Sequence, residues 1–140
     1  MIKALTLTEP WATLMALLEK NVETRSWTTS YRGLIAIHAA KSYPKYAREF
    51  RLENPFVKES LFFSQALGDN LGSVLCVRNL IACQTTELFL RDHKPDEKEI
   101  AFGDYSRGRF AWVFDKSIRF FTPPIPAKGS LGLWNWQEPQ

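Results

Sequence analysis

Lys20-Asn21-Val22-Glu23-Thr24-Arg25-Ser26-Trp27 gathers an amine, a carboxylate, a guanidinium and an indole into one short segment. If Val22 to Trp27 is extended, Glu23, Arg25 and Trp27 project to one face and Val22, Thr24 and Ser26 to the other. Lys20 stands just before, at the end of an apolar helical pattern, where a short turn can return its ammonium over the same face. A buried lysine can act as a base or nucleophile, a neighbouring carboxylate can relay protons, and an arginine can pair with a phosphate or a carbonyl. Lys20 and Glu23 are therefore the catalytic candidates, with Arg25 and Trp27 as ligand contacts. The competing reading is a surface ion-pair cluster, which contributes little and marks nothing.

Other segments carry weaker signals of the same kind. Tyr31-Arg32-Gly33 offers a stacking ring, a guanidinium and a permissive backbone, suited to holding a nucleotide, although taken alone a tight turn is the favoured reading. His38 lies in a strand that otherwise reads as core, so a satisfied buried imidazole is favoured over a catalytic one. Lys41 follows at the strand end, within reach of a cleft and of a phosphate. Phe102 to Arg109 combines two glycines and two arginines with aromatic residues, as RNA-contacting loops and ordinary hairpin turns both do. Lys128-Gly129 with Trp134 reads as structural closure or as the far wall of a cleft. P-loop, GxGxxG, HExxH and GxSxG patterns are absent, which disfavours triphosphate, dinucleotide and metalloprotease chemistry. Cys76 and Cys83 have neither CxxC spacing nor histidines to complete a zinc site, so they read as reduced thiols. Neither a metal nor a cofactor is expected.

These residues need elements to position them. Met1 to Leu7 alternates as a strand, and Thr8-Glu9-Pro10-Trp11 reads as a helix start, with Thr8 as the hydroxyl cap and Glu9 as an acid in the first turn. The helix is predicted from Pro10 to about Glu19, with Trp11, Leu14, Met15 and Leu18 on its apolar face and Trp11 near the cleft edge. Leu34 to Ala40 is a largely buried strand. Lys45 to Leu52 and Pro55 to Leu67 look helical, the second with a Phe-rich face. Leu71 to Ala82 is an apolar strand, and Thr85 or Thr86 caps a helix through Arg91. His93 to Glu99 is a solvated loop or short helix. Arg109 to Phe121 is a long strand or hairpin that Pro123-Pro124-Ile125-Pro126 should break, leaving a glycine-punctuated tail.

The 140 residues are one domain's worth of chain, 45% hydrophobic and 24% charged, as a soluble core requires. A net charge of +3 is compatible with a polyanionic partner without announcing one. Neither a signal segment nor an apolar run long enough to span a bilayer is present, so no membrane partner and a cytoplasmic location are the default expectations. Strands with intervening helices but no regular βαβ rhythm point to a mixed sheet or small barrel.

Glu9-Pro10-Trp11-Ala12, the Lys20 to Trp27 segment, Tyr31-Arg32-Gly33, Ile37-His38-Ala39 and Gly132-Leu133-Trp134 together resemble the ASCH family, named for activating signal cointegrator homology. The resemblance runs from about Leu5 to Trp136. The family motif GxKxxExR finds its lysine, glutamate and arginine in Lys20, Glu23 and Arg25, while Leu18 stands where glycine is usual and Glu9 where glutamine is common. The resemblance implies one ASCH domain over residues 1–140. It implies an α+β, PUA-like fold, a small mixed β-barrel with flanking helices, and a cleft that takes RNA or a modified nucleotide. Trp11, Arg25, Trp27, Tyr31, Arg32, His38 and Lys41 would contact that ligand. Some compact relatives are amidohydrolases of N4-acetylcytidine, and ribonuclease chemistry is also proposed within the family. Glu23 occupies the position of the threonine nucleophile of those amidohydrolases, with Thr24 and Ser26 beside it.

Overall fold

The computed structural model describes residues 1–61 and 67–140. Strands β1 (Ile2–Leu7), β2 (Val22–Arg25), β3 (Gly33–Ala39), β4 (Ser73–Thr85), β5 (Phe110–Pro126) and β6 (Leu133–Trp136) form one six-stranded sheet in the order β2-β5-β4-β3-β1-β6. The β1 and β3 strands run parallel, and every other neighbouring pair is antiparallel. The helices are α1 (Trp11–Ala16), α2 (Lys45–Glu53), α3 (Pro55–Ser60), α4 (Leu67–Asn70), α5 (Thr86–His93) and α6 (Glu97–Ala101). The expected mixed α+β architecture is present. Part of the helix expected over Pro55 to Leu67, with Phe62 and Phe63 of its Phe-rich face, lies outside the described residues.

Alternation along the strands gives the sheet two apolar faces. Leu5, Leu7, Ile35, Ile37, Leu75, Trp112 and Phe114 pack with Ala12 and Met15 of α1. Ala4, Ala36, Val74, Val77, Phe121 and Trp136 make the opposite cluster. The β4–β5 ribbon shifts register at three places along its length, and such bulges bend and twist a ribbon. The result is visible between strands far apart in the sheet order: Phe121 of β5 and Trp136 of β6 bring their rings to 5.8 Å. The sheet thus rolls up, but β2 and β6 do not pair, so the expected barrel is left unclosed.

Two sequence expectations are corrected here. The prolines do not end β5, which runs on to Pro126. The β2 strand pairs only with Phe110 to Val113, so farther along β5 is an edge strand, where a missing outward N–H costs no ladder hydrogen bond. The tail likewise contains a strand, because Leu133 to Trp136 pairs with the outer edge of β1.

The helix α1 is shorter than the apolar pattern predicts. Thr8 does not cap it through its hydroxyl. Pro10 is the N-cap, and the fully buried Glu9 carboxylate accepts from the Thr13 backbone N–H at 2.8 Å and the Thr13 hydroxyl at 2.5 Å. Burial pushes the Glu9 carboxyl above its ordinary pKa, against the pull of those hydrogen bonds. At the other end Leu18 has φ 61°. The Leu18 N–H bonds to Met15 O and the Glu19 N–H to Leu14 O, the paired closure that ends a helix with a left-handed residue. Glycine suits that conformation and leucine does not. Leu18→Gly is therefore expected to be more stable than Leu18→Ala by about 1 kcal/mol, since both lose the same packing and only alanine keeps the Cβ penalty. Urea unfolding of the two variants checks this, and equal midpoints would contradict it.

Candidate functional site

The turn from Leu18 to Val22 delivers Lys20 beneath β2 and is clamped on two sides. From β4, the fully buried Arg78 donates to Met15 O at 3.1 Å, Lys20 O at 2.8 Å and Asn21 Oδ1 at 2.7 Å, and also to Asp115 O at 2.7 Å. Burial lowers the pKa of this guanidinium from its ordinary value. From α6, Glu99 Oε1 accepts the Asn21 N–H at 2.8 Å, and Lys98 pairs with Glu19. Burial raises the Glu99 carboxyl, with the Lys20 charge opposing the rise.

Lys20 is wholly buried. Its Nζ donates to Val22 O at 2.5 Å and Phe102 O at 3.2 Å, and lies 3.3 Å from Glu23 Oε1. Two of the three ammonium donors are thus spent on backbone carbonyls, and the charge is paired with Glu23. Glu23 Oε2 lies 3.1 Å from Arg25 Nε, and Arg25 Nη2 donates to Thr6 O at 2.8 Å. Side-chain exposure rises along the series, 0% for Lys20, 11% for Glu23 and 24% for Arg25. The charges form a row from core to surface, with Glu23 shared between two cations.

Glu23 and Arg25 open into a cleft of about 440 Å³. One wall is aromatic: Trp11 stacks on Phe50 of α2 at 4.8 Å and meets Tyr46 at 6.3 Å. The opposite wall is polar, with Thr24, Asp104 and Arg109 beside Glu23 and Arg25. Arg109 donates from Nη2 to Thr24 O and from Nε to Asp104 O, each at 3.1 Å, and the Thr24 hydroxyl oxygen accepts the Asp104 N–H at 2.9 Å. Gly103 is required at the rim, because an added Cβ would lie 2.9 Å from the Tyr105 ring.

Of the residues singled out from sequence, the structure brings Trp11, Glu23 and Arg25 to this cleft with Lys20 beneath them. Trp27 falls beyond the end of β2 and packs edge-on against Trp112 at 4.7 Å instead. Tyr31 and Arg32 are held by their own turn: the tyrosine hydroxyl donates to Leu34 O at 2.8 Å, and Arg32 Nη1 donates to Thr29 O and Tyr31 O. His38 and Lys41 line a different concavity. Sequence reasoning passed over Tyr46, Phe50 and Arg78. The first two have a signal, an aromatic pair at i, i+4 on one helical face; the third is a lone charge in an apolar strand.

His38 is buried and both ring nitrogens are occupied. Nε2 lies 2.7 Å from Ala127 O, which can only accept, and Nδ1 lies 3.0 Å from Thr6 Oγ1. Trp134 Nε1 donates to the same Thr6 oxygen at 3.1 Å. One proton arrangement satisfies every group: Trp134 to Thr6, Thr6 to Nδ1, and Nε2–H to Ala127. The imidazole is neutral, and burial lowers its pKa from the ordinary value. The unfolded chain takes up this proton near pH 6.5 and the folded chain resists it, so stability is expected to fall as pH drops below about 6.5. His38→Gln should lose that portion of the pH dependence. Denaturation midpoints of both proteins over this range decide it, the difference between them cancelling the opposite trend from Glu9 and Glu99, whose carboxyls are raised by burial.

No family model matches the chain, and no match is found among curated proteins. Among solved structures, the chain is similar to a single-site mutant of the ASCH protein ZmASCH from Zymomonas mobilis, with 15% identity and a TM-score of 0.47 over 89% of this chain and 74% of that one. Among the described residues, no helix is long and apolar enough to cross a membrane.

Proposed function

We propose that the cleft between Trp11 and Arg109 binds RNA or a modified nucleotide, inserting a base between its aromatic and polar walls. The observation that carries this reading is the pairing of a stacked, accessible indole with a Glu23–Arg25 ion pair across one concavity of nucleotide size. A stacking ring is indifferent to base identity, while a carboxylate and guanidiniums facing it offer acceptors and donors to the base edge. The resemblance of the Lys20, Glu23 and Arg25 spacing to the ASCH motif supports the same ligand class.

Hydrolysis is less well supported by the geometry. Lys20 has two donors on backbone carbonyls and its charge paired with Glu23, Glu23 has a cation beside each oxygen, and the Thr24 hydroxyl is bonded to a backbone N–H. A base or nucleophile would have to break these contacts before acting. Lys20 and Glu23 are therefore read as the groups that hold Arg25 and shape the cleft floor.

Titration of single-stranded RNA, followed by fluorescence anisotropy, tests the proposal. Trp11→Ala is expected to weaken binding by about 1–3 kcal/mol, the worth of one stacked base. RNA affinity unaffected by both Trp11→Ala and Arg109→Ala would sink it.

A further inference from the structure

A second concavity, of about 960 Å³, adjoins the first, and Thr6 lines both. Thr6 and His38, joined by a hydrogen bond, line it, and Trp134 donates to the same Thr6 oxygen. Gly129 closes over that pair so tightly that an added Cβ would lie 2.7 Å from the His38 ring and 2.9 Å from Thr6 Oγ1. Gly129 is therefore held against His38 and Thr6 by packing, which places the neighbouring Lys128 at the mouth of this concavity.

The two concavities differ in charge. In the first, Glu23 and Asp104 offset Arg25 and Arg109, and both arginines already donate to backbone carbonyls. An anion entering there gains little and meets two carboxylates. The second is lined by Lys41 and Lys128 and, among the described residues, by no Asp or Glu. Both lysines are exposed, and neither has an ion-pair partner among the described residues. The field in this concavity is uncompensated and positive, as an anion site requires. The balanced, aromatic cleft suits the uncharged part of a nucleotide, and the cationic one beside it suits the charged part.

We propose that the second concavity is a phosphate subsite, in which Lys41 and Lys128 hold the phosphate of the ligand whose base occupies the first cleft, with the sugar crossing at Thr6. This rests on the reading of the first cleft as a base site. The phosphate could be the terminal group of a free nucleotide or a diester within a strand, since the chemistry recognised is the same.

The experiment titrates adenosine, adenosine 5′-monophosphate and a single-stranded adenosine hexanucleotide against the wild type and the Lys41→Ala/Lys128→Ala variant over a range of salt. The wild type should prefer the phosphate-bearing ligands over adenosine. In the variant their affinity should fall roughly tenfold at low salt, and the hexanucleotide's salt slope should shrink by about 0.7 per lysine. Loss confined to the hexanucleotide identifies a strand diester as the ligand, and loss for the monophosphate as well identifies a terminal phosphate. An unchanged phosphate preference in the variant overturns the subsite. Adenosine binding that is absent, or unaltered by Trp11→Ala, would instead overturn the base site. The lysine variant's effect on the hexanucleotide then still decides the second concavity.

Discussion

Lys20→Met is expected to lower the free energy of unfolding by about 3–5 kcal/mol, the cost of removing one partner from a buried ion pair. Methionine fills the volume of the stem but leaves Val22 O and Phe102 O without their donor. Glu23 is left nearly buried with Arg25 as its one counter-charge. Those losses tie β2 less firmly to the end of α6, so the variant should also unfold at lower denaturant without a change in cooperativity. Adding Glu23→Gln should recover part of the loss, because the orphaned charge goes while the two carbonyls stay unpaired. Denaturant titration of the wild type, the single and the double variant measures both effects. A single variant within about 1 kcal/mol of the wild type would contradict the account of Lys20 as a buried cation paired with Glu23.

Arg78→Met should cost at least about 3 kcal/mol, for a related but distinct reason. Replacing a whole buried ion network by apolar groups can be neutral, because both partners leave together. Here three of the four oxygen acceptors are backbone carbonyls, of Met15, Lys20 and Asp115, and no substitution can remove them. Arg78→Lys should restore only a fraction, since a point ammonium cannot span acceptors that a forked guanidinium reaches together. Because Arg78 fixes the backbone of Lys20 and the side chain of Asn21, the proposed RNA binding should also be weaker in any folded variant. Thermal unfolding gives the first quantity and anisotropy titration the second. A stable Arg78→Met protein with unaltered binding would show that the turn is held without it.

The alternation that placed Glu23 and Arg25 on one face was legible in the sequence, because strand geometry fixes it whatever the partners. So were β1 and β3, whose apolar pattern agrees with their final burial. Trp27 was misjudged for a local reason: β2 ends at Arg25, and alternation says nothing past a strand's last paired residue. The length of α1 was misjudged because its stop is a leucine in a conformation that glycine normally signals. The proline run was misread because whether a strand lies at an edge is a property of its neighbours. Arg109 meets Thr24 across 85 positions, and Arg78 meets Met15 across 63. Such partners are set by how the sheet rolls, which no window of the sequence contains.

The pairing of β6 with β1 has a consequence for how the chain is made. Synthesis proceeds from the amino end, and early segments begin to fold before later ones emerge. The outer edge of β1 must then wait, unpaired, until Leu133 to Trp136 has left the ribosome. Trp134 arrives with that strand and supplies the donor to Thr6. The partition between the two concavities is consequently completed only after the other five strands of the sheet have been made.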